Sequence, residues 1–108
     1  MTDKRIVLTT TGSEEEARKI AKHLVEHRLA ACVNIVSRVI SVYRWQGKFE
    51  EADEWLLMVK TTEKAFPSVC QAIKEQHSYE LPECICVNVE EGSSTYMQWI
   101  SDSVTPGK

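Results

Sequence analysis

Residues 31–45, ACVNIVSRVISVYRW, form a run of β-branched, apolar and aromatic residues that contains neither Gly nor Pro. Such a composition is typical of a β-strand, here an unusually long one. The sequence Gln46-Gly47-Lys48 then indicates a turn, and residues 54–62 (EWLLMVKTT) are again typical of a strand. The two segments are therefore predicted to form one long hairpin, and this hairpin decides the fold.

The segment before the hairpin predicts one strand and one helix. Residues 5–10 (RIVLTT) are short and apolar on both faces, as in a central strand. Ser13 and Glu16 form a capping box, and the acidic residues after Ser13 suit the positive end of a helix dipole. The first helix is therefore expected to begin at Ser13 and to end near Arg28. Its apolar stripe consists of Ala17, Ile20, Ala21 and Leu24.

The segment after the hairpin predicts two helices and a strand. Thr62 can cap a second helix, which tolerates Pro67 if that residue lies in its first turn. Residues 83–89 (ECICVNV) are typical of a fourth strand, and residues 92–93 begin a short third helix. Residues 105–108 are expected to fray.

The predicted order of elements is therefore β-α-β-β-α-β followed by a helix. This is the order of the ferredoxin-like α+β fold, in which an antiparallel sheet carries helices on one face. A chain of 108 residues has the usual size of one domain, so residues 1–108 are predicted to form a single domain.

Composition and charge exclude several classes of function. The net charge of -3 removes the electrostatic attraction to a phosphate backbone, so we expect no nucleic-acid binding. No run approaches the roughly 18 apolar residues of a membrane span, and the first eleven residues lack the features of a secretory signal. We therefore expect no membrane association and a cytoplasmic location. The four cysteines show no disulfide framework and are predicted to be free thiols.

The length of the hairpin predicts self-association. Fifteen extended residues span about 50 Å at roughly 3.3 Å per residue, whereas a compact chain of this length is only about 34 Å across. Unless a bulge near Ser37-Arg38 bends the strand, the hairpin tip projects beyond its own core. The projecting side chains are apolar and aromatic: Val39, Ile40, Val42, Tyr43, Trp45, Phe49 and Trp55. Because the strands are also apolar on alternate faces, we expect an obligate homo-oligomer.

Several short segments, in order along nearly the whole chain, resemble the CutA family of divalent-cation tolerance proteins. They are residues 29–34 (LAACVN), 41–43 (SVY) with Trp45, Gly47-Lys48, Lys60-Thr61, His77, Tyr79, Pro82-Glu83, and Tyr96 with Trp99. The resemblance implies a ferredoxin-like homotrimer in which long hairpins cross between subunits. It also implies binding of copper or another divalent ion, a role in metal tolerance, and no catalytic activity.

The same resemblance implies metal ligands, which are His77 and Cys32 in this chain. The pattern departs from copper-binding members at two positions, because Thr9 replaces a first-strand cysteine and Gln76 replaces the first histidine of an adjacent pair. His77 has a second interpretation, since a histidine near a helix C-terminus stabilises the helix by itself.

A second expected site is a cleft between subunits lined by Tyr43, Trp45, Lys60, Tyr79 and Glu83, with Glu54 beside them on the hairpin. Aromatic walls with a cation and a carboxylate are typical of a small-molecule pocket, here for a small anionic ligand. The family resembles the PII-type signalling trimers in architecture, so a small-ligand sensor or adaptor without metal chemistry is the alternative function. The aromatic residues could instead be interface packing.

Two further pairs carry open alternatives. His23 and His27, four residues apart on the first helix with Glu16 on the same stripe, form either a solvated face or a clamp for Cu, Ni or Zn. Cys84 and Cys86, two apart on a strand, are either small core residues or soft ligands for Cu(I). No nucleophile, base and orienting residue are arranged as a triad, so we expect a binding protein and not an enzyme.

Overall fold

The computed structural model describes residues 2–105. Its elements are β1 (Lys4–Thr11), α1 (Glu14–Glu26), β2 (Cys32–Trp45), β3 (Lys48–Thr62), α2 (Phe66–Gln76), β4 (Ile85–Asn88) and α3 (Ser94–Ser103). The predicted ferredoxin-like α+β fold with a long β2–β3 hairpin and a C-terminal helix is confirmed. Of the segment expected to fray, residues 106–108 lie outside the described residues. None of the helices in residues 2–105 is long and apolar enough to span a membrane.

The sheet has the strand order β2-β3-β1-β4, and every pair in it is antiparallel. The hairpin turn lies at Gln46 and Gly47, with φ values of 51° and 78°. Two consecutive positive φ values form the type I′ turn that matches the twist of the flanking strands, and Gly47 adopts this conformation without steric cost.

Element boundaries differ from the predicted ones where pairing overrides local composition. β3 begins at Lys48, six residues before the predicted start, because the polar residues after the turn pair with the aromatic end of β2. β4 shrinks to Ile85–Asn88, the four residues that pair with β1. The Thr62 hydroxyl accepts a hydrogen bond from Ala65 N (3.3 Å), and thus caps the turn before α2.

The capping box at the start of α1 forms only in part. Ser13 Oγ accepts the Glu16 backbone N–H at 3.1 Å, as predicted. The Glu16 carboxylate does not return to Ser13 but accepts two hydrogen bonds from Ser78, one from its N–H (2.8 Å) and one from its hydroxyl (3.1 Å). Glu16 therefore connects α1 to the loop after α2 and is not a partner for His23 and His27.

The core lies between the helices α1 and α2 and one face of the sheet. The apolar stripe of α1 is buried as predicted, together with Val69, Ala72 and Ile73 of α2. The sheet contributes Val7, Leu57 and Val59, each 0% exposed. A smaller cluster is formed by Ala65 with Ile100 and Val104 at the end of α3.

We expect replacement of Thr9 by Val to stabilise the protein. Thr9 is fully buried in the core, and its hydroxyl has no hydrogen-bond partner among residues 2–105. Removing an unpartnered buried hydroxyl should raise the free energy of unfolding by about 1 kcal/mol, measured by urea denaturation. The matched control is Thr61→Val, because the equally buried Thr61 hydroxyl donates to the Leu29 carbonyl at 2.7 Å and its loss should destabilise the protein. Equal destabilisation by both substitutions would contradict this expectation.

The opposite face of the sheet, called the open face below, is not covered by α1 or α2. Side chains alternate along a strand, so the neighbours of the core residues point to it. It carries Ile6, Leu8, Leu56, Met58, Ile85 and Val87, all of them half-buried or exposed. Of the three helices in residues 2–105, α3 alone reaches it, at one end, where Lys60 Nζ donates to Tyr96 Oη at 3.4 Å. The expectation that the helices share one face therefore holds for α1 and α2 only.

The hairpin extends beyond the core, as its length predicts. The principal dimensions of the chain are 44 × 25 × 22 Å, and Ile40 and Phe49 near the tip are 67% and 77% exposed. Trp55, predicted to be part of the projecting surface, instead packs against the core. It does so because it pairs with Thr11 at the end of β1, inside the sheet and not in the tip.

A β-bulge interrupts the hairpin at the position suggested by the sequence. Val36 pairs with Leu56, whereas Val39 pairs with Glu54, so β2 has one more residue than β3 over this interval. Arg38 has a φ of 57°, the left-handed conformation that bulges and turns require. The bulge shifts the alternation of side chains along the rest of β2.

Candidate functional site

A cleft of about 810 Å³ lies on the open face, where the hairpin leaves the sheet and the loop after α2 approaches it. We call it the hairpin cleft. It is lined by Thr10, Ser41, Val42, Tyr43, Trp45, Glu54, Ser78, Tyr79, Glu80, Leu81 and Glu83. Its size and mixed lining are those of a small-ligand pocket. The structure thus brings together four of the five residues predicted to bind a ligand, Tyr43, Trp45, Tyr79 and Glu83.

The bulge determines which side of β2 lines the cleft. Leu56 and Glu54 lie two residues apart on β3, so both point to the open face. Their partners on β2, Val36 and Val39, therefore point there too. Alternation from Val39 then places Tyr43 and Trp45 on that face, beside Glu54. Ile40 occupies the other face. If the same residues formed a regular strand without the bulge, strict alternation from Val36 would place Ile40, and not the two aromatic residues, at the cleft.

Tyr79 and Glu54 form the deepest polar contact of the cleft. Glu54 is only 7% exposed, and its Oε2 accepts a hydrogen bond from Tyr79 Oη at 2.7 Å. No residue in 2–105 donates to the other carboxylate oxygen of Glu54. Burial, and then the hydrogen bond to Glu54, raise the pKa of Tyr79 well above its ordinary value of 10.0. Tyr79 therefore stays protonated and acts as a donor to the buried carboxylate.

Gly12 allows Tyr79 to reach this position. A Cβ atom at residue 12 would lie 3.1 Å from Tyr79 Oη, closer than a comfortable contact. The Tyr79 side chain therefore packs directly against the backbone at Gly12. The sequence does not reveal this role, because a strand-ending turn is enough to explain a glycine at that position.

The lining of the hairpin cleft is acidic. Glu54, Glu80 and Glu83 line it, and no Lys, Arg or His is among its described lining residues. Burial raises the pKa of Glu83, and the nearby charge of Glu54 raises it further. Two carboxylates that repel each other in a partly buried site favour a bound cation, which relieves that repulsion. This lining argues against the small anionic ligand expected from the sequence.

His77 lies behind the cleft and supports its loop. Its Nε2 is 2.6 Å from the Thr10 carbonyl oxygen, and its Nδ1 accepts the Tyr79 N–H at 3.1 Å. Because a carbonyl oxygen only accepts, Nε2 carries the proton and Nδ1 is the acceptor. Both ring nitrogens are therefore engaged within the chain. This arrangement positions Tyr79 and leaves neither nitrogen available as a metal ligand.

Cys32 and Lys60 lie at the far end of the sheet from the cleft. They pair with each other across β2 and β3. Lys60 lies four residues along β3 from Leu56, and Leu56 pairs with Thr10. Four strand residues span about 13 Å, so Cys32 and His77 do not form one site within a chain. Lys60 does not line the cleft; its Nζ lies 5.6 Å from the centre of the Tyr96 ring. Within one chain the structure therefore brings neither Cys32 to His77 nor Lys60 to the cleft, and their roles at sites between subunits stay predictions.

The two cysteines near β4 occupy different environments. Cys84 precedes the strand, is half-buried and packs against the core, and burial raises its pKa to about 12. Cys86 lies within β4 and is exposed. Cys84 thus fits the interpretation as a small core residue, whereas Cys86 does not. All four cysteines are free thiols in the structure.

His23 and His27 stack on the outer surface of α1. Their ring centres are 4.1 Å apart with an angle of 30° between the planes. His27 Nδ1 also lies 2.9 Å from the His23 carbonyl oxygen. Within residues 2–105, no three His, Cys, Asp or Glu side chains converge in a way that could hold a metal ion.

Comparison with known proteins places these features in a family. The family model described as "CutA1 divalent ion tolerance protein" matches residues 5–103. The "Divalent-cation tolerance protein CutA" of Thermus thermophilus is 50% identical over 98 residues, which are 91% of this chain and 95% of that protein. A solved Thermus thermophilus structure, "Divalent cation tolerance protein (Cut A1)", superposes with a TM-score of 0.92 at 48% identity, covering 94% of this chain and 99% of that chain.

The comparisons overturn the cytoplasmic prediction. A relative from Arabidopsis thaliana, 36% identical over 91% of this chain, is described as "Protein CutA, chloroplastic". A structure from Archaeoglobus fulgidus, with a TM-score of 0.92, 38% identity and coverage of 94% of this chain and 99% of that chain, is described as "Periplasmic divalent cation tolerance protein CutA". The prediction was wrong because composition and hydropathy of the domain do not specify a compartment. The chain spans 54% of the Arabidopsis protein, so much of that relative lies outside the shared region.

Proposed function

Because the chain belongs to the CutA1 divalent ion tolerance family, we propose that it is a non-enzymatic homotrimer that binds a divalent cation and thereby supports metal tolerance. Copper is the ion that the resemblance to the family implies. The observation that carries the proposal is the acidic hairpin cleft, where Glu54 and Glu83 lie partly buried near each other. A cation between them would relieve the repulsion of the two carboxylates.

The cleft of one chain supplies oxygen ligands, which bind divalent ions through carboxylates. Since no three His, Cys, Asp or Glu side chains of residues 2–105 converge, the remaining ligands would come from water or from a second copy of the chain. The cleft opens on the open face, the apolar surface that we propose is covered in the trimer. A neighbouring copy there would stand close enough to contribute.

A binding role is favoured over a catalytic one by the hydrogen bonds of the cleft. Nucleophilic catalysis would need a hydroxyl or thiol and a base that are not engaged in holding the loop, with a third group that orients the base. Ser78 donates its hydroxyl to Glu16, and the nitrogens of His77 are engaged with Thr10 and Tyr79. These groups hold the loop in place, so their hydrogen-bonding capacity serves structure.

Calorimetric titration with Cu²⁺ and Zn²⁺ tests this proposal. The unmodified protein is expected to bind, and Glu83→Gln is expected to weaken binding at the cleft at least tenfold. The matched control is Glu51→Gln, because Glu51 lies on the same strand three residues from Glu54 and points to the opposite face. Equal affinity of Glu83→Gln and the unmodified protein for both ions would refute the assignment of the cleft.

Glu83→Gln should also raise the melting temperature at neutral pH. Burial raises the pKa of Glu83, so the folded state prefers its protonated form. Above the carboxyl titration range the ionised side chain therefore costs stability, and the stabilisation present at acidic pH is lost as the pH rises through the raised pKa. A neutral amide avoids this cost. Scanning calorimetry at pH 4 and pH 7 should show the gain at pH 7 only; a loss of stability at pH 7 would indicate a purely structural carboxylate.

A small-ligand sensor without metal chemistry is the second candidate. The aromatic side chains Tyr43, Trp45 and Tyr79 line the cleft, and such walls suit an organic ligand. Given the acidic lining, the ligand would carry a positive charge, which aromatic faces also attract. A thermal-shift screen of organic ammonium compounds tests this candidate. Stabilisation by such compounds, combined with no response to Cu²⁺ or Zn²⁺, would favour it over the first.

A further inference from the structure

We propose a second divalent-cation site, separate from the hairpin cleft, formed by the imidazoles of His23 and His27 on the outer surface of α1. Its ligand would be a borderline transition-metal ion such as Cu²⁺, Ni²⁺ or Zn²⁺, for which imidazole nitrogen is a preferred donor. The site uses none of the residues that line the cleft.

The spacing of the two rings suits one shared ion. They stand one helical turn apart, and their centres are 4.1 Å from each other. Two nitrogens bound to one ion at about 2.0–2.1 Å can be no more than about 4.2 Å apart. The 4.1 Å separation joins ring centres and not nitrogens, and the rings are stacked with an angle of 30° between their planes, so rotation about their side-chain torsions must direct a nitrogen of each toward the shared ion.

The hydrogen bond of His27 leaves the correct nitrogen free. His27 Nδ1 lies 2.9 Å from the His23 carbonyl oxygen, and because that oxygen only accepts, Nδ1 must carry the proton. The lone pair of Nε2 is then available to a metal. A ligating histidine typically donates its other N–H to a carbonyl or carboxylate in this way, which fixes the tautomer and the ring orientation.

The ring of His23 makes no hydrogen bond to any residue in 2–105. Capping explains His27, which ends α1 and bonds back to the preceding turn, but it does not explain His23. The rings stack against each other instead, and His23 is half-buried at the edge of two surface depressions. An ion shared with His27 would use the nitrogens that the fold leaves unpaired.

The surroundings of the pair also favour a cation. Glu26 lines the same depression as the two histidines, and the site lies at the C-terminal end of α1, where the helix dipole is negative. Arg28 lines this depression too, but its guanidinium is held by hydrogen bonds to Thr105 Oγ1 (3.0 Å) and the Asp102 carbonyl oxygen (2.7 Å). With two protein nitrogens, the site would leave the other coordination positions to water.

Calorimetric titration with NiCl₂ tests the site. We expect one ion per chain and at least tenfold weaker binding in His23→Ala and in His27→Ala. A rescue variant, His27→Ala with Lys19→His, restores two histidines four residues apart on α1 and should recover the affinity. Its matched control, His27→Ala with Lys22→His, has the same number of histidines but places them side by side, on different faces, and should not recover it. Circular dichroism confirms that α1 is intact in each variant.

Two results would overturn the proposal. One is nickel binding by His27→Ala equal to that of the unmodified protein, and the other is equal recovery by the Lys19→His and Lys22→His variants. The Glu83→Gln variant separates this site from the cleft, because it should retain nickel binding at α1 even if the cleft binds no metal. Conversely, a failure of the histidine variants to change nickel binding leaves the test of the cleft unaffected.

Discussion

Replacing Val87 by Glu is expected to convert the homotrimer that we propose into single chains of 12.3 kDa. Val87 pairs with Ile6 at the open face and is 42% exposed in the isolated chain. If a copy of the chain covers that face, the new carboxylate would be buried among apolar side chains without a partner. Such burial costs several kcal/mol per chain, which is enough to dissociate an interface of ordinary strength.

Light scattering coupled to size-exclusion chromatography measures this outcome directly. The matched control is Val25→Glu, because Val25 is also 42% exposed but lies on α1, away from the open face. That variant should keep the assembled mass. The explanation fails if Val87→Glu remains assembled, or if the unmodified protein itself has the mass of one chain at micromolar concentration.

Tyr79→Phe is expected to destabilise the protein by about 1.5–3 kcal/mol, the usual contribution of a hydrogen bond to a charged group. The substitution removes the donor at 2.7 Å from Glu54, a carboxylate that is only 7% exposed, and no other described residue bonds to that carboxylate. Urea denaturation at neutral pH measures the loss. Tyr43→Phe is the control, since Tyr43 lines the same cleft but makes no side-chain hydrogen bond in residues 2–105.

The same contact predicts a response to alkaline pH. The unfolded tyrosine ionises near its ordinary pKa of 10.0, whereas the pKa of Tyr79 in the folded chain is raised by burial and by Glu54. The folded state therefore keeps the proton, and stability is fully present below pH 10 and falls as the pH rises above it. The loss of stability that comes from ionisation of Tyr79 at alkaline pH should be absent in Tyr79→Phe. A pH profile of that variant parallel to the unmodified protein's would show that the contact is not formed in solution.

Much of the fold followed from local patterns. The β-branched run of β2 with Gly47 at its end specified the hairpin, and Ser13 specified the start of α1, because in both cases one short segment decides the conformation. The extent of β4 did not follow, since it is set by pairing with residues 5–8 of β1, which local composition does not show. The position of Trp55 was predicted wrongly for the same reason. Its pairing with Thr11 holds it within the sheet, although it is close in sequence to the tip.

The candidate site was predicted in part. The aromatic residues Tyr43 and Trp45 were identified by composition, but their common orientation depends on the bulge, whose effect on alternation cannot be read from the pattern alone. Lys60, predicted for a cleft between subunits, lies six residues along β3 from Glu54, about 20 Å in an extended strand, so it does not line the hairpin cleft of its own chain. His77 was predicted as a ligand, yet its hydrogen bonds depend on Thr10, which is distant in sequence.

Because β2 has one extra residue at positions 37–38, the two strands of the hairpin should tolerate deletions unequally. Loss of Arg38 would leave a regular ladder in which every pair from Val39 to the turn keeps its partner. Loss of one residue from β3 would instead increase the difference in length between the two strands. A one-residue shift of register would then move the side chains at the tip to the opposite faces of the hairpin. Related sequences should therefore carry insertions and deletions at this position of β2 and almost none in β3.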